Sequence, residues 1–190
     1  RNLPITEIWF SPSNTKVGVC YGAKNIVIYD IASGDRLEIE TGKKDIALSM
    51  AFSADDEWAA IGTFAGIIHF WNLKDPTIPL IENRAHIGGV TWLCFSPDNL
   101  TLASCGIDGI KLWNVHTAQH LIDLIELGPQ SGGAIVEFSP DAETLAYGVY
   151  QNAFGIVHAP LVDDSELTPP DNRASGRVSA HRITLEAKSQ

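Results

Sequence analysis

The sequence has 190 residues, 45% hydrophobic and 19% charged, the balance of a globular chain and not of a disordered one. Its 13 basic and 23 acidic residues leave a net charge of −10, which argues against a surface that tracks a phosphate backbone. No apolar run approaches the ~20 residues that a membrane-spanning helix requires.

A Phe-Ser pair opens four similar stretches: Phe10-Ser11-Pro12, Phe52-Ser53-Ala54, Phe95-Ser96-Pro97 and Phe138-Ser139-Pro140, at spacings of 42, 43 and 43. A period in the low forties means one supersecondary unit copied along the chain. In the first copy, strands are expected at 5–10, 16–21, 25–29 and 36–40. The last alternates Leu37 and Ile39 with Arg36, Glu38 and Glu40, as a half-exposed outer strand does. Lys43-Lys44, the nearest approach to a basic patch, reads as a solvated loop. The second copy predicts strands at 50–52, 58–62, 67–71 and 78–81, with Pro79 suited to an outer edge.

The third copy is the best preserved. Its β-branched and aromatic run 90–95 is broken by Ser96-Pro97-Asp98-Asn99, and strand 100–105 turns at Gly106-Ile107-Asp108-Gly109 into strand 110–113. A fourth strand follows at 120–125. The fourth copy has Val157-His158 where the others have Tyr29-Asp30, Trp71-Asn72 and Trp113-Asn114. Residues 159–176 are polar and Pro-rich, and 177–185 reads as a strand. The preferred account is an insertion before the fourth unit's outer strand; the rival is the opening of a fifth unit.

Four short antiparallel strands per unit, apolar on both faces, must be covered on both sides. Radial stacking of small sheets, a β-propeller, meets that demand. The third copy carries His86, Phe95-Ser96-Pro97-Asp98, Leu102-Ala103-Ser104, Asp108-Gly109 and Trp113-Asn114 in the order found in WD40 repeats, and the chain resembles that family. The resemblance implies an all-β propeller with four four-stranded blades at about 1–42, 43–83, 84–127 and 128–190, part of a larger, seven-bladed ring. It also implies a structural hydrogen-bonded tetrad of His86, Ser104, Asp108 and Trp113. Asp108 and Trp113 are one position closer than in the usual repeat, so a tightened hairpin or a distorted tetrad is expected. Elsewhere Ala23, Ala65 and Gln151 replace the Asp.

The same resemblance implies a non-catalytic scaffold that binds proteins or peptides through one face of the propeller. The carried-over positions are Phe64, Ile107, Tyr150, Ile46, Leu48 and Thr91, with Gly22, Thr6, Ala134, Pro4, Gly89 and Gly132 beside them. No cofactor, metal, nucleic acid or membrane is expected as a ligand. Two other readings stand beside it: a sensor or regulatory segment of a larger signalling protein, and a propeller hydrolase using the inner-strand carboxylates Glu7 and Glu137. His116-x-x-x-His120 lacks the helix that metal spacing of that kind needs, and Asn99-Leu100-Thr101 is a glycosylation sequon lying in a turn. Cys20, Cys94 and Cys105 contain no Cys-x-x-Cys and read as free thiols in a reducing compartment, the cytoplasm. Four units make an open arc with apolar end faces, so further blades, from the same or another chain, are expected partners.

Overall fold

The computed structural model describes residues 3–22, 25–40, 45–75, 82–128, 133–150 and 153–158. The strands expected at 78–81 and 177–185, the insertion at 159–176, Lys43-Lys44, Ala23, Gly132 and Gln151 lie outside them.

Within the described residues the chain is all strand and turn. β1 (Ile5–Phe10), β2 (Lys16–Tyr21), β3 (Asn25–Asp30) and β4 (Arg36–Glu40) pair in that order as one antiparallel sheet. β5 (Ala47–Phe52), β6 (Trp58–Thr63), β7 (Ile67–Asn72) and β8 (Glu82–Arg84) form the second. β9 (Trp92–Phe95), β10 (Thr101–Gly106), β11 (Gly109–Asn114) and β12 (His120–Glu126) form the third. β13 (Ala134–Phe138), β14 (Thr144–Val149) and β15 (Ala153–His158) are the described strands of the fourth. Each sheet is one blade. The described part of the second blade's outer strand is Glu82–Arg84, directly after the expected 78–81, and β9 starts two residues after the expected 90.

The register explains why a Phe and an aromatic residue recur at a fixed distance. Cross-strand partners share a face of the sheet. Phe52 lies opposite Ala59 and Ala59 opposite Trp71, while Phe95 lies opposite Leu102 and Leu102 opposite Trp113. Phe10–Val17–Tyr29 and Phe138–Leu145–Val157 are the same row in the first and fourth blades. In the second and third blades this row faces the blade before it. Met50, Phe52, Ala59 and Ile61 pack on Cys20, Ile26, Ile28 and Ile39 of the first blade. Leu93, Phe95, Leu102 and Trp113 pack on Ala60, Ile68 and Phe70 of the second. Ala134, Val136 and Leu145 close on Ala103, Cys105 and Ile110 of the third. Burying one such Phe contributes about 1.5–3 kcal/mol, so the repeated signal is chiefly a joint between blades.

β4 keeps its predicted alternation: Ile39 is buried, Leu37 is half-buried, and Arg36 and Glu38 face out. All hairpins between second and third strands lie at the end where the first strands begin, so they share one face of the arc.

Candidate interaction face and the polar network of the third blade

The four residues of the predicted tetrad meet. His86 sits between β8 and β9, Ser104 on β10, Asp108 in the β10–β11 hairpin and Trp113 on β11. His86 Nδ1 is 2.5 Å from Asp108 Oδ1, and His86 Nε2 is 2.8 Å from Ser104 Oγ. The Trp113 indole N–H donates to the same Ser104 Oγ at 2.8 Å. One arrangement satisfies every group: Trp113 donates to Ser104, Ser104 donates to His86 Nε2, and His86 Nδ1–H donates to Asp108.

That chain needs a neutral imidazole and an ionised carboxylate. Burial pushes His86 below its ordinary value, more than the Asp108 hydrogen bond raises it. Burial alone would raise Asp108, but the hydrogen bond and charge of His86 and the Ile87 N–H hold it below the usual carboxylate range. Lys111 Nζ lies 3.3 Å from Asp108 Oδ2 and adds to the same balance.

The shortened hairpin is tight. Gly106 pairs directly with Gly109, leaving only Ile107 and Asp108 in the loop. Two glycines make this possible. A Cβ on Gly106 would lie 2.6 Å from the His86 ring, and Gly109 has φ +137° with Ile125 O in the space a Cβ would fill. His86 is also tied to the second blade, because its own N–H and that of Ala85 both donate to Gly66 O, at 3.1 and 2.8 Å. Ser104 and Trp113 face inward with His86, and no described nucleophile opens from this set to solvent.

The six carried-over face residues fall at one end of the arc. Phe64 in the β6–β7 hairpin is 66% exposed and Tyr150 in the β14–β15 hairpin 72%. Ile46 is exposed just before β5, Leu48 is half-buried on it, and Thr91 is exposed just before β9. Ile107 is half-buried in its hairpin against Gly88. Phe64 N–H donates to Ile46 O at 2.8 Å, and Asp45 Oδ1 accepts from Ile46 and Ala65, at 2.9 and 3.1 Å, which pins that pair of loops. Tyr150 N–H reaches Gly133 O at 3.3 Å, beside Thr91. Ala134 corrects an expectation: it is buried in the joint with the third blade and presents nothing to a partner.

Sequence reasoning passed over two residues of this end. Ile87 is 80% exposed, held out by its N–H to Asp108 Oδ2 at 3.3 Å. Trp92, on the innermost strand, is 42% exposed. A large apolar residue between the tetrad His86 and Gly88-Gly89 was the available signal for Ile87.

Comparison with known proteins agrees with this geometry. A family model described as "WD domain, G-beta repeat" matches residues 78–114, the span holding the tetrad. The chain carries a WD40 repeat and is similar to WD-repeat proteins. It is 26% identical over 167 residues to Pre-mRNA-processing factor 19 of Oryza sativa subsp. japonica, covering 84% of this chain and 31% of that protein. It is 28% identical over 142 residues to the ribosome biogenesis protein WDR12 homolog of Drosophila mojavensis, covering 72% of this chain and 33% of the relative. This WD40 chain thus spans about a third of these curated relatives. Among solved structures, the WD40 repeats of RRP9 superpose with a TM-score of 0.67 at 21% identity, over 82% of this chain and 48% of that one. That likeness is one of fold: the four blades match about half of a solved propeller.

His116 and His120, set aside in sequence as a ligand pair for want of a helix, lie on turn and strand. His116 makes a T-shaped contact with Trp58, centroids 6.2 Å apart, and His120 one with Trp113 at 5.1 Å.

Proposed function

We propose that this chain is a non-catalytic WD40 scaffold that holds a protein or peptide on the hairpin end of the arc. The observation that carries the reading is the exposure of Phe64 and Tyr150, two aromatic residues at the hairpin end of one face. Aromatic side chains ordered in this way supply most of the energy of many interfaces. Ile46, Thr91 and Ile87 are exposed at the same end, and Leu48 and Ile107 are half-buried supports for them.

Relatives named for pre-mRNA processing and ribosome biogenesis support assembly of a larger complex as the setting. They favour a nuclear or nucleolar compartment over the cytoplasm, and they place RNA near the relatives' work. For this chain a net charge of −10 argues that the partner is protein. Glu7 and Glu137, the carboxylates of a hydrolase reading, stand in the first and fourth blades on strands that carry no histidine. Nothing in their placement favours catalysis, and fold alone decides no function.

The test is affinity capture from a cell extract by the native chain and by Phe64→Ala plus Tyr150→Ala, followed by measurement of binding to each captured protein after purification. The double variant is expected to lose a purified partner's binding by at least ten-fold with an unchanged circular dichroism spectrum. Equal binding by both chains would remove this face from the proposal.

A further inference from the structure

Four residues after its Phe, each blade has a non-glycine residue with positive φ: Asn14 at 60°, Asp56 at 57°, Asn99 at 62° and Ala142 at 61°. At two of the three joints this residue reaches back to the Phe-Ser turn of the preceding blade. Asn99 Oδ1 accepts the N–H groups of Ala54 and Asp55, at 2.7 and 3.2 Å. Asp56 Oδ2 accepts the hydroxyls of Ser11, Ser13 and Thr15.

What a turn can offer depends on the residue two places past its Phe. Ala54 has an N–H there, whereas Pro12 and Pro97 have none. The asparagine faces the turn with the N–H. Opposite Pro12 stands an aspartate, which takes hydroxyls instead. Opposite Pro97 stands Ala142, which takes nothing, and a cavity of about 250 Å³ remains there, lined in part by Ser96, Asp98 and Ala142.

Asn14 occupies this position in the first blade. It is exposed, unlike the other three, and among the described residues nothing bonds its side-chain amide. Around it lies the back half of a joint. Phe10 and Ile8 are 65% and 53% exposed, whereas their counterparts Phe52 and Met50 are 5% and 4% exposed.

We propose that this face of the first blade receives a further blade of the same kind, whose Phe-Ser turn has a residue other than proline two places past its Phe. Asn14 Oδ1 takes that N–H, as Asn99 takes the one from Ala54. A second copy of this chain is the obvious rival. Its fourth blade exposes Phe154 and Ile156 where the second blade buries Ile68 and Phe70, so the apolar surfaces would match. Its turn, however, places Pro140 where Asn14 requires a donor. The mismatch selects against two copies closing on each other, since a buried acceptor left unpaired is costly.

The test is self-association of the 190-residue chain by sedimentation velocity, comparing the native sequence, Pro140→Ala, Asn14→Ala and the double variant. Alanine already occupies the equivalent turn position at Ala54. Pro140→Ala supplies the missing N–H and is expected to tighten self-association by roughly ten-fold, and Asn14→Ala is expected to remove that gain. A gain that survives Asn14→Ala, no gain from Pro140→Ala, or a native dimer already dependent on Asn14 would each overturn the proposal. As a check within one chain, Ala54→Pro and Asn99→Ala should be strongly non-additive in stability; additive effects would remove the pairing itself.

Discussion

The indole N–H of Trp92 donates to the backbone carbonyl of Val136 at 2.9 Å, joining the innermost strands of the third and fourth blades. Ser49 does the same one joint earlier, its hydroxyl donating to Val90 O at 2.8 Å. In each case the residue three places before the Phe reaches forward to the next blade. Trp92→Phe keeps an aromatic ring but deletes the donor, and losing the hydrogen bond should cost about 0.5–1.5 kcal/mol. Urea denaturation followed by far-ultraviolet circular dichroism measures this, with an unchanged slope showing that the denatured state is the same. A variant as stable as the native chain would show that water replaces the indole without loss.

Ser104→Ala should be more damaging than its small volume change suggests. It removes both the acceptor of the Trp113 indole and the partner of His86 Nε2, leaving two buried polar groups unpaired. About 2–6 kcal/mol is expected, from roughly 1–3 kcal/mol for each orphaned group. Trp113→Phe in the Ser104→Ala background should then cost less than in the native chain. Equal costs in the two backgrounds would show that the indole and hydroxyl act independently.

The pH dependence follows from the directions of the His86 and Asp108 shifts. Both groups are held below their ordinary values, so the unfolded chain takes up a proton first as the pH falls. The His86 contribution is complete above the unfolded value near 6.5 and is lost as the pH falls through the folded pKa. Asp108 adds its own loss below about pH 4. Thermal melts should therefore be flat from pH 8 to 7 and decline below it, less steeply in His86→Gln. An imidazole signal of His86 titrating above 6.5 by nuclear magnetic resonance would contradict the neutral form.

Burial pushes the thiol of Cys94 up to about 11 and that of Cys105 to about 12, between the third and fourth blades. Thiolate is the reactive form. At pH 8 neither should react with Ellman's reagent until denaturant opens the joint. Rapid labelling of Cys105 in the native chain would mean that the third and fourth blades part readily.

Strand positions were legible because turn chemistry punctuates them. Ser-Pro-Asp-Asn after Phe95 and the glycines flanking Ile107-Asp108 end their strands within a residue or two of the observed limits. The tetrad was legible only in the third blade, where all four polar residues remain. Contacts between blades were not, because Asn99 with Ala54 and Trp92 with Val136 join residues more than forty positions apart. No local spacing announces them. The pairing of Glu82–Arg84 with Ile67–His69 was not legible for a related reason: three residues carry too little pattern of their own.

The ties of His86 run to two blades at once: its backbone and that of Ala85 to Gly66, its ring to Ser104 and Asp108. Stacked units held by nearest-neighbour contacts ordinarily come apart in any order their local strengths permit. Here one short loop ties the two central units by backbone and ring at once, which should make them part together. Stretched from its termini, the arc should shed its first and last units in separate steps and give way in the middle as one larger event.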